Sequence, residues 1–179
     1  MSEANVSKPP IRVANCSGFY GDRLTAMREQ LDGGEIHVLT GDYLAELTML
    51  ILGKDQLKDA GLGYARTFVR QVEDCLGLAL ERGVKIVSNA GGLNPAGLAA
   101  KLREVASGLG LDPSIAHVEG DDVRELGLSK DALTANAYLG GFGIAAAFDA
   151  GADVVVTGRV TDAALVTGPA TWWHGWTPT

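Results

Sequence analysis

Cysteine and proline are scarce in this sequence, which has two cysteines and six prolines among 179 residues. Cys16 and Cys75 lie far apart in apolar segments, so we expect reduced, packed thiols and not a disulfide framework. Proline is too rare for collagen or low-complexity disorder, and the 24 glycines follow no G-x-y period. The length suits one domain with its own hydrophobic core.

The sequence also lacks a long apolar run and a cluster of basic residues. Its longest uncharged stretch, 132–148, is too short for a membrane span and is interrupted by glycines. The net charge of −7 disfavours binding to nucleic acid or to an anionic membrane. Residues 1–10 contain no apolar run typical of a secretory signal, and we expect them to form a flexible tail. These features predict a cytoplasmic protein whose partner is a small molecule.

Several catalytic signatures are missing. The sequence has no H-E-x-x-H or C-x-x-C motif for zinc and no G-x-S-x-G motif for a hydrolase serine. The glycines at 18 and 21 match neither the dinucleotide-binding fingerprint nor the P-loop. His37 and His117 lie within strand patterns, and we interpret them as ordinary core or surface residues and not as metal ligands.

Short β-branched runs alternate with longer segments of helical period. The runs lie near 11–15, 36–40, 84–89, 114–119 and 153–158. Between them, apolar residues recur at i, i+3, i+4 and i+7, most clearly over 64–82 and 94–107. Gly83 and Gly151 each stand just past a helix pattern, where a left-handed conformation costs glycine nothing. Apolar strands joined by helices predict an α/β fold, a Rossmann-like three-layer sandwich with a mainly parallel sheet, as one domain over 11–179.

Polar residues follow each predicted strand, at the end of the sheet where open α/β folds bind ligands. In the first such loop, 16–23, a helix beginning near Asp22 and Arg23 could hold an anion at its N-terminus. A tight turn with Asp22 as the N-cap is the alternative. The candidate binding residues of this loop are Gly18, Gly21, Asp22 and Arg23.

The second loop, 40–46, contains two carboxylates four residues apart, Asp42 and Glu46. On a helix this spacing places both on one face, where they could share a cation or divide acid and base catalysis. A purely structural role for Asp42, as the cap of the helix LAELTMLIL, explains it without catalysis. Asp42 is the catalytic candidate from this loop.

The third loop, 88–97, follows a strand and opens a helix, with Asn94 as the predicted N-cap and Pro95 at the first helical position. Its side chains and backbone amides predict an uncharged cradle for a carbonyl, carboxylate or phosphate oxygen. The candidate oxygen-binding residues are Ser88, Asn89, Gly91, Gly92 and Asn94.

The fourth loop concentrates negative charge at Glu119, Asp121 and Asp122. The repulsion among these carboxylates requires a cation, a basic residue or a helix N-terminus nearby. Mg²⁺ is one candidate, but no spacing here is diagnostic of a metal, and an N-cap with a first-turn acid explains the pair without one. Asp121 and Asp122 are candidates for catalysis, and no metal ligand is assigned.

The fifth loop places Arg159 directly after an apolar strand and near Asp162. Such a guanidinium either forms a structural ion pair or clamps a carboxylate or phosphate in bidentate fashion. Asn136 and Tyr138 are polar members of the preceding apolar run and could face the same crevice. We take Asn136, Tyr138, Arg159 and Asp162 as substrate-binding candidates.

Three tryptophans, Trp172, Trp173 and Trp176, lie close together near residue 179. Exposed together, they would form a large apolar patch. We therefore expect a second subunit, another partner or further chain to cover them.

Six segments in order resemble the acyclic terpene utilisation protein A family, and more narrowly its N-terminal domain, long catalogued as a domain of unknown function. They are NCSGFYGDR (15–23), GDYLAELTM (41–49), SNAGGLNPAGLA (88–99), GDDV (120–123), TANAYLG (134–140) and GADVVVTGRVTDAALV (151–166), the last followed by GPA (168–170). The resemblance runs from about 11 to 176. In that family the domain continues well beyond WWHGW and is often followed by a small ferredoxin-like domain, so the resemblance implies a truncated chain that covers roughly the first half.

The resemblance implies bacterial breakdown of citronellol- and geraniol-type terpenes through CoA thioesters. The implied step is carbon–carbon cleavage of a 3-hydroxy-3-carboxymethyl acyl-CoA with release of acetate, or else a hydration. On this hypothesis the third loop binds oxygen, Arg159 binds a carboxylate or phosphate, and Asp42, Asp121 or Asp122 transfers a proton or holds a metal. A non-catalytic subunit, a nucleotide- or anion-binding module and an inactive truncated product are the alternatives.

Overall fold

The computed structural model describes residues 8–127 and 131–177. Within them, five parallel strands form one sheet in the order β1-β2-β3-β5-β4. The strands are β1 (Val13–Asn15), β2 (Val38–Gly41), β3 (Lys85–Ser88), β4 (Ile115–Val118) and β5 (Val154–Thr157). Each overlaps its predicted run, and the predicted parallel α/β sheet is confirmed.

Helices cover both faces of this sheet. They are α1 (Ala26–Asp32), α2 (Glu46–Lys58), α3 (Arg66–Glu81), α4 (Pro95–Gly108), α5 (Phe142–Asp149) and α6 (Ala164–His174), with a short 3₁₀ turn at Arg124–Leu126. Successive strand residues point to opposite faces. Ile86 and Val154 therefore pack in the core under α1–α4, and Val87 and Val155 in the core under α5 and α6. This is the predicted three-layer sandwich.

The strand order locates a crevice that the sequence did not reveal. The chain leaves β3 toward α4 on one face, and it leaves the neighbouring β5 toward α6 on the other face. Adjacent strands whose following connections diverge in this way open a crevice at their carboxyl ends, which is the usual ligand site of such sheets. The loops after β3 and β5 border this crevice.

Two predicted helix starts are wrong, and one is confirmed. The helix expected near Asp22 begins at Ala26, because the Asp22 carboxylate instead accepts hydrogen bonds from the backbone N–H groups of Gly18 (3.0 Å) and Arg23 (2.8 Å) and closes a turn. The helix expected after Asp42 begins only at Glu46. Asn94 caps α4 as predicted, accepting from the Gly97 N–H at 2.9 Å with Pro95 at the first helical position.

Gly83 and Gly151 end α3 and α5 with φ of +65° and +94°, as predicted. A Cβ at Gly83 would meet no atom within 4 Å, so only its backbone conformation opposes a side chain. We expect Gly83→Ala to lower the free energy of unfolding by about 1 kcal/mol. Gly108, a helical residue of α4 with equally open surroundings, is the matched control. Gly108→Ala should raise that free energy by about 0.5 kcal/mol, and urea denaturation of both variants checks the opposite signs.

The three tryptophans are not exposed together. Trp172 packs on Phe148 with ring centroids 5.2 Å apart, and Trp173 stacks on His37 at 4.4 Å. Trp176 is 57% exposed. Trp172 and Trp173 are thus half-buried against the chain's own residues, and the cover of the tryptophans by a partner or further chain stays a prediction.

Residues 8–10 of the predicted tail contact α6. The Trp173 indole N–H donates to the Pro9 carbonyl at 2.7 Å, and the Lys8 ammonium lies 5.5 Å from the same ring. The remainder of the predicted tail, 1–7, lies outside the described residues.

Both cysteines are buried and free. Burial raises the pKa of the Cys16 thiol to about 12 and that of the Cys75 thiol to about 11. Both thiols are therefore protonated at neutral pH, in keeping with the predicted packed role. No helix in the described ranges is both long and apolar enough to cross a membrane.

Candidate active site at the carboxyl ends of the strands

Side-chain hydrogen bonds tie together the loops that follow four adjacent strands. Asn89, after β3, donates to Asp42, after β2, at 2.7 Å. Asp121, after β4, accepts from the backbone N–H of Arg159, after β5, at 2.7 Å. The Arg159 guanidinium reaches back across the sheet to the Leu44 carbonyl, also at 2.7 Å. The predicted polar loops therefore form one continuous rim.

Arg159 is the most deeply buried charged side chain of this rim after Asp121, with 6% exposure. Its Nη1 donates to the Leu44 carbonyl, its Nη2 to Asp162 at 3.0 Å, and its Cζ lies 4.1 Å from the Tyr138 ring centroid. No described residue accepts a hydrogen bond from Nε, although that atom is buried. A buried donor without a partner is costly and calls for an explanation, such as a ligand oxygen.

Arg159 lines a hollow of about 160 Å³, which we call the Arg159 hollow. Its other lining residues are Ala45, Glu46, Met49, Thr134, Asn136 and Tyr138. The ring of Tyr138 and the side chains of Ala45 and Met49 make part of the wall apolar. The hollow therefore combines one buried cation with a hydrophobic surface.

The N-terminus of α2 faces the same hollow through Ala45 and Glu46. No side chain in the described part of the chain caps this 13-residue helix, so its first backbone N–H groups and the positive end of its dipole are available to a ligand. Among the residues that the structure describes, Glu46 is the only carboxylate that lines the hollow. Arg159 and the helix end favour an anion there, and Glu46 opposes a second negative charge.

The Asp121 carboxylate connects two residues that line this hollow, Arg159 and Asn136. It is 4% exposed, and its Oδ2 accepts from both the Arg159 backbone N–H and the Asn136 amide at 2.8 Å. A Cβ on Gly158 would lie 2.3 Å from Asp121 Oδ1, so the carboxylate packs against bare backbone. Asp121 thereby fixes Asn136 and the turn that presents Arg159.

Asp122 is turned away toward Arg124, whose Nε and Nη2 lie 3.0 and 2.5 Å from its carboxylate. The hydrogen bonds from Arg124 hold the pKa of Asp122 below its ordinary value. Asp122 is thus ionised at neutral pH. Arg124 is one of the basic residues expected near the fourth loop, because its positive charge offsets the repulsion between the carboxylates.

A second cavity of about 260 Å³ brings Glu119, Asp121 and Asp122 near Gly92 and Asn136. The residues present do not suit a metal ion, because Asp121 and Asp122 already accept hydrogen bonds from nitrogen donors. Among the described residues, no group of three or more His, Cys, Asp or Glu is placed to hold a metal.

The polar side chains of the third loop are engaged in hydrogen bonds within the protein, and the predicted role of this loop in oxygen binding stays a prediction. Asn89 is fully buried, and its side chain accepts from the Tyr43 backbone N–H at 2.7 Å while donating to Asp42. Ser88 donates to the Gly41 carbonyl at 2.7 Å. Asn94 caps α4 and donates to two carbonyls of the loop before α3. Neither Asn89 nor Asn94 lines the Arg159 hollow.

The two glycines of this loop are explained by close packing. A Cβ on Gly91 would lie 2.5 Å from the Thr157 carbonyl oxygen, and one on Gly92 would lie 2.4 Å from a methyl group of Leu52. Gly92 also has φ of +55°. Larger residues at these positions would separate β3 from β5 or α2.

The first loop lies after β1, at the edge of the sheet. Its Arg23 pairs with Glu29 at 2.7 Å, and two backbone N–H groups hold the pKa of Asp22 below its ordinary value. Gly18, Gly21, Asp22 and Arg23 do not line the Arg159 hollow. Their predicted role in substrate binding stays a prediction.

Of the predicted candidates, Asn136, Tyr138 and Arg159 line the hollow. Asp162 forms an ion pair with Arg159 from an exposed position. Asp42 accepts a hydrogen bond from Asn89 and does not line the hollow. Sequence reasoning assigned no role in binding to Met49 or Thr134. The spacing of Asp42 and Glu46 drew attention to Glu46, but the shared helix face is wrong because α2 begins at Glu46.

The family described as acyclic terpene utilisation family protein AtuA matches residues 11–179. No curated protein and no solved structure matches the chain significantly. Because the family match covers nearly the whole chain, the protein belongs to the acyclic terpene utilisation (AtuA) family.

Proposed function

We propose that this chain is an enzyme domain of acyclic terpene catabolism that binds a branched, carboxylate-bearing acyl-CoA in the Arg159 hollow. The observation that carries the proposal is the buried Arg159 Nε, which has no acceptor among the described residues. A substrate carboxylate would supply that acceptor and accept further hydrogen bonds from the same planar group.

Arg159 could exchange one of its present hydrogen-bond partners for a substrate carboxylate. Asp162 is 66% exposed on its side chain, so its ion pair with Arg159 contributes little and can open into solvent. The Leu44 carbonyl would continue to orient the guanidinium from below. The uncapped N-terminus of α2 adds a second attraction for one negative charge.

The size and lining of the hollow favour a small branched group over a phosphate. A volume of about 160 Å³ is below the usual range for a whole ligand site, so only the acid end of the substrate would enter. Met49 and Tyr138 would contact the methylene group of the carboxymethyl arm. Glu46 would repel the second charge of a phosphate. The CoA portion would lie outside the hollow.

In the proposed reaction, the C–C bond between C3 and the carboxymethyl group of a 3-hydroxy-3-carboxymethyl acyl-CoA breaks. The 3-hydroxyl loses its proton to Glu46 and becomes a ketone, and the departing carbon takes that proton back from Glu46 to give acetate. Negative charge accumulates on the carboxymethyl oxygens as the bond breaks. Arg159, bound to those oxygens, would stabilise this charge.

A ligand panel tests the binding step. We expect a 3-hydroxy-3-carboxymethyl acyl-CoA near 100 times its dissociation constant to raise the melting temperature by roughly 5–10 °C. The same thioester with its carboxymethyl group converted to an amide should have little effect, because Arg159 then loses its anionic partner. Equal shifts from the amide or from free CoA would contradict the proposal. A shift from free CoA alone would favour a nucleotide- or anion-binding module.

Glu46→Gln separates binding from chemistry. We expect the variant to bind the substrate at least as well, because a repelling charge is removed, and to release acetate about 10²–10⁴-fold more slowly. Glu119→Gln, which alters an exposed carboxylate of the neighbouring cavity, is the matched control and should keep its rate. Acetate release from purified protein is the measurement. Unchanged release in Glu46→Gln would remove Glu46 from the mechanism.

A further inference from the structure

The Arg159 hollow extends along one side of α2. Met49 and Gly53 are four residues apart in this helix, and the helical period places them in one strip that continues to Ala45 at the N-cap. Ala45 and Met49 line the hollow. Ala45 directly follows Leu44, whose carbonyl oxygen accepts from Arg159 at 2.7 Å. Arg159 therefore lies near the start of α2, and the hollow extends from there toward Met49.

The hollow closes where α2 carries Gly53. Thr134, from the segment before α5, also lines the hollow. A Cβ at Gly53 would lie 3.0 Å from a methyl carbon of Thr134 and 2.9 Å from Leu133 Cγ, both closer than ordinary van der Waals contact. Glycine is unfavourable inside a helix, and this close approach explains its presence here. Because Thr134 meets α2 at Gly53, the space between them ends there.

Met49 stands between Arg159 and this closed end. Its backbone lies about 6 Å along the helix axis from Ala45, since each residue adds ~1.5 Å. The side chain is 7% exposed and contributes to the lining, so it limits the space from the core side. We infer that Met49 determines the length of the acid arm that the hollow admits. This inference rests on the proposed function, because it requires a carboxylate on Arg159.

The volume of the hollow matches an acid arm with one methylene. Water occupies about 30 Å³ per molecule in the liquid, so the hollow of about 160 Å³ has room for roughly five groups of that size. A carboxymethyl group has four non-hydrogen atoms, and the 3-hydroxyl oxygen makes a fifth. A 2-carboxyethyl arm adds a methylene. With its carboxylate on Arg159, the longer arm would press against Met49 or move the 3-hydroxyl away from Glu46.

Isothermal titration with two thioesters tests this selection by length. One carries a 3-hydroxy-3-carboxymethyl acyl group and the other a 3-hydroxy-3-(2-carboxyethyl) acyl group, with the same charge. We expect wild type to bind the first at least about tenfold more tightly, because the added methylene does not fit. Met49→Ala should bind the longer acid more tightly than wild type does. Its preference should fall to about threefold or less, because the shorter side chain leaves room for the methylene.

Met49→Leu is a second variant that should fold, because exchange of methionine for leucine is well tolerated in a core. Leucine is one atom shorter, so its preference should lie between those of wild type and Met49→Ala. The matched control is Met27→Leu. Met27 is fully buried in α1 and does not line the hollow, so this variant should keep the wild-type preference.

Tighter binding of the longer acid is a gain that mere destabilisation of the fold cannot produce. Equal affinity of wild type for the two thioesters would overturn the inference and leave the proposed function in place. So would a preference that stays unchanged in the Met49 variants. Failure of wild type to bind either thioester would overturn the proposed function and this inference together.

Discussion

Replacing Asn89 by Asp is expected to lower the free energy of unfolding by about 4 kcal/mol. The substitution removes the amide that donates to Asp42 at 2.7 Å and puts a second carboxylate in its place, at a position with no solvent exposure. Two like charges at hydrogen-bond distance cannot both ionise without a large cost. The loop after β2 would then separate from the loop after β3.

Asn94→Asp is the matched control, in the same loop and with the same change of atoms. Asn94 is only partly buried, and an Asp there still accepts from the Gly97 N–H as an N-cap. The added charge lies at the positive end of α4, which offsets the loss of the two donated hydrogen bonds. We expect Asn94→Asp to lower the free energy of unfolding by about 1 kcal/mol or less. If urea denaturation gave equal losses of unfolding free energy for Asn89→Asp and Asn94→Asp, Asn89 would not be the structural support we describe.

The Asn89→Asp defect should also depend on pH. Repulsion from Asp42 raises the pKa of the new carboxyl in the folded state above its unfolded value. The resulting loss of unfolding free energy is then fully present above the folded-state pKa. It shrinks as the pH falls toward the pKa that the carboxyl group has in the unfolded state. Denaturation of the variant at neutral and acidic pH, each compared with wild type, measures this recovery.

Replacing Arg159 by Lys is expected to weaken binding of the carboxylate-bearing thioester by about 10- to 100-fold. A lysine keeps the charge but cannot present Nε and Nη donors together to one carboxylate. Lysine is preferred to alanine here, because Arg159 is 6% exposed and alanine would leave a void above the Leu44 carbonyl.

Arg124→Lys provides the comparison for this substitution. Arg124 also forms a close pair with a carboxylate, Asp122, but it does not line the Arg159 hollow. We expect isothermal titration to give an affinity within about twofold of wild type. Similar losses in both variants would point to a general effect of charge near the rim and not to recognition by Arg159.

The layers of the fold were predictable from local patterns. β-Branched runs gave all five strands, and helical periodicity gave the long helices α3 and α4, which begin and end within about two residues of the prediction. Gly83 and Gly151 were identified because the conformation that they adopt depends on only one or two neighbouring residues. The strand order was not predictable, since it depends on contacts between distant segments.

The candidate site was only partly predictable for the same reason. Their positions directly after predicted strands identified Asn89, Asp121 and Arg159 as rim residues. Those positions did not show which of the three side chains remains available to a ligand. That depends on partners far away in sequence: the Asn89 side chain accepts from Tyr43, 46 residues earlier, and Arg159 donates to Leu44, 115 residues earlier. Asn89 and Asp121 are already engaged by such partners, whereas Arg159 Nε is not.

The arginine Nε–H signals in a ¹H–¹⁵N correlation spectrum report directly on that buried donor, with the Arg159 signal assigned by its loss in Arg159→Lys. A suitable probe is 3-hydroxy-3-methylglutarate, a small acid that carries both the hydroxyl and the carboxymethyl group. A new hydrogen bond to a carboxylate should move the Arg159 Nε–H proton downfield as the acid is added, while the Arg124 signal stays in place. An Arg159 signal that stays fixed while signals elsewhere in the protein follow saturable binding would contradict the account.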